Sequence, residues 1–226
     1  ADAEATATRE LRRRHPDSRA GWVHQIRGFA SAGRATHVDS LLAEASALPP
    51  DTYWSQGAMM VTAGEELQAH GHPGAEGYLL RAVSWLANQL ARDPDHRAHR
   101  FWMGTAQYDL GAYQDAEPYF ESLVGDFPDE LAYRAGWALI AARRGDTALA
   151  RRRLGDPPRY DRGEYLTVQA RLAAIAADRE RALGLWSEAL GAGVSGIAWI
   201  HVAAHRELLP LRDDPRFRRL GLVPPG

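Results

Sequence analysis

The sequence predicts an all-α chain of antiparallel helical hairpins, and three observations carry that prediction. Proline followed by aspartate recurs at Pro16-Asp17, Pro50-Asp51, Pro94-Asp95 and Pro128-Asp129, with spacings of 34, 44 and 34 residues. Glycines fall between these pairs: Gly33 lies 17 residues from Pro16 and from Pro50, Gly111 lies 17 from Pro94 and from Pro128, and Gly145 lies 17 beyond Pro128. Residues 97–128, RAHRFWMGTAQYDLGAYQDAEPYFESLVGDFP, hold two amphipathic helical patterns hinged at Gly111 and ended by Pro128. Glycine suits a helix C-terminus because it takes positive φ without a Cβ clash. Proline ends a helix because it cannot continue a helix interior. Each 34-residue beat is therefore a helix of about four turns, a tight turn and a returning helix.

In chain order, a helical pattern covers 1–14, with no preceding partner helix in the given sequence. That makes 1–16 a half unit and suggests a chain excised from something larger. The unit at 19–52 carries Trp22, Ile26, Phe29, Gly33, Leu42 and Pro50 in register, with Val38 at the small-residue position. The unit at 53–95 is ten residues over length; the loop HGHPG (70–74) is its turn, and helices near 52–70 and 75–92 are each expected to be about a turn longer than standard. The unit at 97–130 has Met103-Gly104, Ala116, Phe120 and Pro128. The unit at 131–158 keeps Trp137-Ala138, Gly145, Ala150 and Leu154 and stops early at Gly155-Asp156-Pro157-Pro158. The unit at 163–190 keeps Ala170, Ala173, Ala182, Trp186 and Ala189, with Ala177 where the glycine turn belongs. Residues 193–226 depart from the beat and read as capping helices: one near 196–207, then a turn from Pro215, with Asp214 as N-cap.

These units resemble the tetratricopeptide repeat, whose pattern W-x2-L-G-x2-Y, A-x3-F, P runs over 34 residues. The best-kept unit has Arg100 and Gln107 where that pattern has Trp and Tyr. The resemblance implies a right-handed superhelix, an α-solenoid of about 11–13 helices. The segment LLPLRDDPRFRRLG (208–221) is similar to sequences that close tetratricopeptide regions in large bacterial proteins bearing a kinase, cyclase or DNA-binding domain. It implies a regulatory or sensory module of such a protein.

Composition narrows the chemistry. A formal net charge of −2 gives no global attraction to nucleic acid or acidic membrane. All 27 basic residues are Arg, which fits a GC-rich bacterial coding bias, and the absence of Lys removes Schiff-base chemistry. Without cysteine there are no disulfides, thiolate zinc sites or thiol nucleophiles. No apolar run approaches the roughly 18 residues of a membrane span, and a cytoplasmic location is expected, an extracytoplasmic domain of a larger protein being the alternative.

No phosphate-binding or hydrolase motif occurs. His201 and His205 have the i, i+4 spacing of a zinc helix but lack its general base; His70, His72, His96 and His99 are expected to bond to caps and loops. The run Arg143, Arg144, Arg151, Arg152, Arg153, Arg159 and Arg162 is read as a solvated face, since no aromatic interleaves it as a base-stacking platform requires. Trp22, Phe29, Trp54, Trp85, Trp102, Phe120, Trp137 and Trp186 are read as core. No catalytic residue, metal site or cofactor is assigned, and the chain is not read as an enzyme; an acid–base pair of His99 with Asp109 or Glu65 would be the sign of one.

In tetratricopeptide arrays the first helix of each unit lines a concave groove. The resemblance therefore implies that the partner-binding residues are Arg27, Glu65, Gln68, Phe101, Thr105, Tyr108, Asp109, Arg143 and Arg171, beside Val23, Ser31, Val61, Leu139, Glu164 and Thr167. The arginines would pair with carboxylates while Phe101 and Tyr108 anchor apolar groups. Arg27 stands where the carboxylate clamp of chaperone-tail binders has Asn, so that particular ligand is not implied. The expected function is a protein–protein interaction scaffold holding a peptide, a partner protein or another domain of the parent chain. The alternative is a small-molecule-sensing pocket formed by the long second unit and the tail.

Overall fold

The computed structural model describes residues 10, 13–14, 19–49, 51, 53–193 and 205–219. All regular secondary structure among them is helical. The chain divides into two compact units, Ala1–Tyr119 and Phe120–Gly226.

The first unit contains α1 (Arg19–Ser31), α2 (Ala35–Ala45), α3 (Gln56–Ala69), α4 (Ala75–Leu90), α5 (Arg97–Asp109) and the opening turns of α6 (Tyr113–Asp126). Each helix packs on its sequence neighbour through α5, and α1 also packs on α3 and α3 on α5. One apolar core runs through them, including Trp22, Ile26, Leu42, Met59, Leu67, Leu79, Leu86 and Trp102. Small residues set the spacing of α3 and α4. A Cβ on Gly64 would lie 2.7 Å from the Leu79 Cγ and 3.2 Å from the Ala75 carbonyl, and one on Gly57 would lie 2.7 Å from the Leu86 Cγ.

The second unit holds the rest of α6, then α7 (Leu131–Arg143), α8 (Thr147–Leu154), α9 (Arg162–Ile175), α10 (Arg179–Gly191), a 3-10 turn at Leu209–Leu211 and α11 (Pro215–Arg219). Helices α7 and α8 pair, α9 and α10 pair, and α7 packs on α9. The Phe120 ring lies against Gly136, where no Cβ would fit. Leu208, Leu211 and Phe217 of the tail join Leu183, Trp186 and Ala189 in one cluster.

Five turns close in the same way. The amides of Gly33, Gly71, Gly111, Gly145 and Ala177 donate to the carbonyl three residues back, and the next amide, of Arg34, His72, Ala112, Asp146 or Asp178, donates to the carbonyl five back. This double closure caps the orphan carbonyls of a helix end and requires a left-handed residue. Ala177 adopts it with φ 59, although it carries a Cβ.

The predicted helix boundaries need one correction. Helices α3 and α4 have 14 and 16 residues, against 13 and 14 in α5 and α6. The over-length unit carries most of its excess in its connections, because Asp51 turns the chain back through bonds to the Tyr53 and Trp54 amides, and the 70–74 loop uses two left-handed glycines. The aromatics also divide: Trp22, Trp102, Phe120 and Trp186 are buried, Phe29, Trp54 and Trp85 are half-buried against the core, and Trp137 lies under the Arg153 guanidinium at 4.3 Å. The helical pattern over 1–14 and the helix near 196–207 lie largely outside the described residues. Residues 205–207, its predicted end, are a coil and turn leading into the 3-10 segment. Asp214 caps α11 as expected, accepting from the Arg216 amide at 2.8 Å.

Candidate functional site

The nine residues expected to face a partner separate by unit, seven in the first and two in the second. In the first unit, Phe101, Thr105 and Asp109 are half-buried and lie one turn apart on a single stripe of α5. On the neighbouring α3, Glu65 and Gln68 are also half-buried. The Thr105 hydroxyl donates to the Phe101 carbonyl one turn back at 3.0 Å.

Arg27 and Tyr108 sit elsewhere. Tyr108 is buried, with its ring 5.4 Å from that of Tyr113. The Arg27 guanidinium is buried and donates from Nε to Glu66 Oε1 at 2.8 Å. Glu66 also has His70 Nε2 at 3.7 Å from its second oxygen. A buried charge needs such a partner because desolvation otherwise costs several kcal/mol, in round terms. Arg27 thus ties α1 to α3. Val23, Val61, Leu139 and Thr167 point into the cores as well, and Thr167 donates to the Gly163 carbonyl at 2.9 Å.

In the second unit, Arg143 on α7 and Arg171 on α9 converge on one carboxylate, that of Glu207 in the tail. Arg143 Nη2 donates to Oε1 at 3.2 Å and Arg171 Nε to Oε2 at 2.9 Å. The Glu207 side chain is fully buried, whereas those of Arg143 and Arg171 remain 24% and 14% exposed. Glu164, two turns before Arg171 on α9, is half-buried, and burial pushes its carboxyl up despite the opposing charge of Arg171. The chemistry of this place is recognition of a carboxylate by two guanidinium groups.

His72, His96 and His99 make contacts within the fold. His72 Nε2 meets the Ser31 carbonyl at 2.9 Å, and its ring covers Gly33, which joins the first two hairpin turns. His96 caps α5 by accepting from the His99 amide, and the two rings stack at 3.7 Å. Burial, together with the neighbouring His96, holds His99 down to about 4, so it is neutral at pH 7. His99 and Asp109 are ten residues apart on α5, about 15 Å along the axis, and do not converge. Of the i, i+4 histidine pair, His201 lies outside the described residues. Among the described residues, no group of three or more His, Cys, Asp or Glu is placed to hold a metal.

Within the arginine run, Arg153 bonds the Trp137 carbonyl at 3.3 Å and Arg162 pairs with Glu188 at 2.8 Å. Two residues escaped the sequence reading. Arg19 is buried and donates to the carbonyls of Leu48, Pro49 and Trp54, gathering the loop before α3. Glu207 was the other; its signal was slight, a lone acid before the apolar run Leu208-Leu209. No helix among the described residues is long and apolar enough to cross a membrane. No family model, no curated protein and no solved structure matches the chain.

Proposed function

We propose that the chain is a tetratricopeptide-like scaffold. In this reading its hairpins stack as a right-handed superhelix, and the first-helix faces hold a peptide or partner domain on behalf of a larger bacterial regulatory protein. The observations that support it are that every hairpin closes with the same left-handed turn and that three pairs of successive first helices pack together (α1 on α3, α3 on α5, α7 on α9). In this reading the first helices share the side that takes the ligand, and its residues are Glu65, Gln68, Phe101, Thr105 and Asp109, half-buried in one unit, with Arg143 and Arg171, half-buried in the other.

A mixed surface of this kind suits a transient partner with affinity on the order of micromolar, or about −8 kcal/mol. Peptides selected from a random display library against the immobilised chain provide the test. Affinity should fall about tenfold or more in Phe101→Ala or in Arg171→Gln while helicity is unchanged. Selected peptides that bind both variants as tightly as the parent chain would remove the first-helix faces from the function.

A further inference from the structure

We propose that the Arg143–Arg171 pair is a carboxylate receptor held shut by the chain's own Glu207, so that an acidic segment of a partner engages it by exchange with the tail. This rests on the reading of the first-helix faces as partner surfaces and names the regulation of one of them. The two guanidinium groups come from consecutive first helices, and both reach the two oxygens of one side chain. That side chain enters from a segment 36 and 64 residues away in sequence, not from a hairpin of the array.

The contact is graded in exposure. The Glu207 side chain is covered while those of both arginines stay partly exposed. Anchoring is graded too. Leu208, Leu211 and Phe217 fix the remainder of the tail in the apolar cluster around Trp186, and Arg179 holds the Pro210 carbonyl at 3.1 Å and the Asp214 carboxylate at 3.3 Å. Glu207 immediately precedes Leu208, the first tail residue of that cluster. The occupant is an acidic peptide, because the group on the receptor is itself a glutamate carboxylate. Two guanidiniums meeting one carboxylate on both oxygens select such a group by geometry as well as charge.

The test uses the full chain and a fluorescein-labelled hexaglutamate peptide, with hexaglutamine as control. Glu207→Gln should bind hexaglutamate at least tenfold more tightly than the parent chain, hexaglutamine should show no gain, and Arg171→Gln added to Glu207→Gln should erase the gain. Equal binding by parent and Glu207→Gln, or a gain that survives loss of Arg171, overturns the proposal. Should Glu207→Gln not fold, the unsubstituted chain still decides. Millimolar hexaglutamate should accelerate hydrogen exchange at the Leu208 amide, which donates to the His205 carbonyl at 3.0 Å, and unchanged exchange overturns it. Display-selected peptides that still depend on Phe101 would then leave the scaffold reading standing while the tail exchange falls.

Discussion

Ala177 holds a conformation that the other four hairpin turns give to glycine. Its φ of 59 lies in the left-handed region, and it is exposed, so no packing accounts for the methyl group. An L-residue there costs about 1–2 kcal/mol, partly offset by the greater freedom of glycine in the unfolded chain. Ala177→Gly should therefore stabilise the protein by about 1 kcal/mol, read as a rise in urea midpoint; a fall would mean that the strain is absent. Gly111→Ala is the converse. Its φ is 80 and a Cβ would meet nothing within 4 Å, so a loss of about 1 kcal/mol there would be conformational alone. At the Arg27–Glu66 pair, Glu66→Ala strands a buried guanidinium and should cost about 3–5 kcal/mol, whereas Arg27→Met with Glu66→Leu should recover most of that loss. His99 sets a pH dependence. Its folded value near 4 lies below the unfolded value, so between the two the unfolded chain binds more protons and stability rises with pH. The contribution is complete above about pH 6.5 and is lost as pH falls toward 4. His99→Phe should flatten the decline in melting temperature across that window.

The helical turns were readable at the scale of elements because glycine at mid-beat has a single physical use there, and four of the five left-handed turns fall on the glycines of the pattern. The over-length second unit was harder, since spacing counts residues without saying whether a helix or a connection holds them. Here Asp51 and two left-handed glycines put most of the extra length in the connections. The tail shows the same division. Asp214-Pro215 announced the start of α11, but nothing in the sequence announced that Phe217 would stack on Trp186 at 6.2 Å. A five-residue helix has no stability of its own, so α11 depends on that contact and on Arg216, which bonds Asp214 and Glu180. Phe217→Ala should destabilise the second unit by about 3–5 kcal/mol. Hydrogen exchange should accelerate first in α10 and in residues 205–219, and uniform acceleration across α1–α5 would contradict this placement.

For the whole molecule, the sequence disclosed the all-α class through periodicity, which is a local property. It disclosed the candidate site only in part. Positions of a repeat pattern do not record which side chains find partners inside the fold: Arg27 and Tyr108 turned inward to Glu66 and the core, while Phe101, Thr105 and Asp109 stayed half-open. Charge is the property that does belong to the full chain. With 27 arginines, no lysine, 29 acids and 9 histidines, the net charge of −2 at pH 7 passes through zero near pH 6.5. That crossing lies in the range where histidines are the side chains whose ordinary charge changes. Because His99 remains neutral in this range, folding removes one of them from the titration. Self-association at low salt should therefore peak near pH 6.5 and subside at pH 8 and again at pH 5.5, where net charge restores repulsion. Light scattering read alongside circular dichroism separates this from acid unfolding: a peak with unchanged helicity is the charge effect, and scattering that climbs steadily to pH 5.5 as helicity falls would show instead that unfolding governs association.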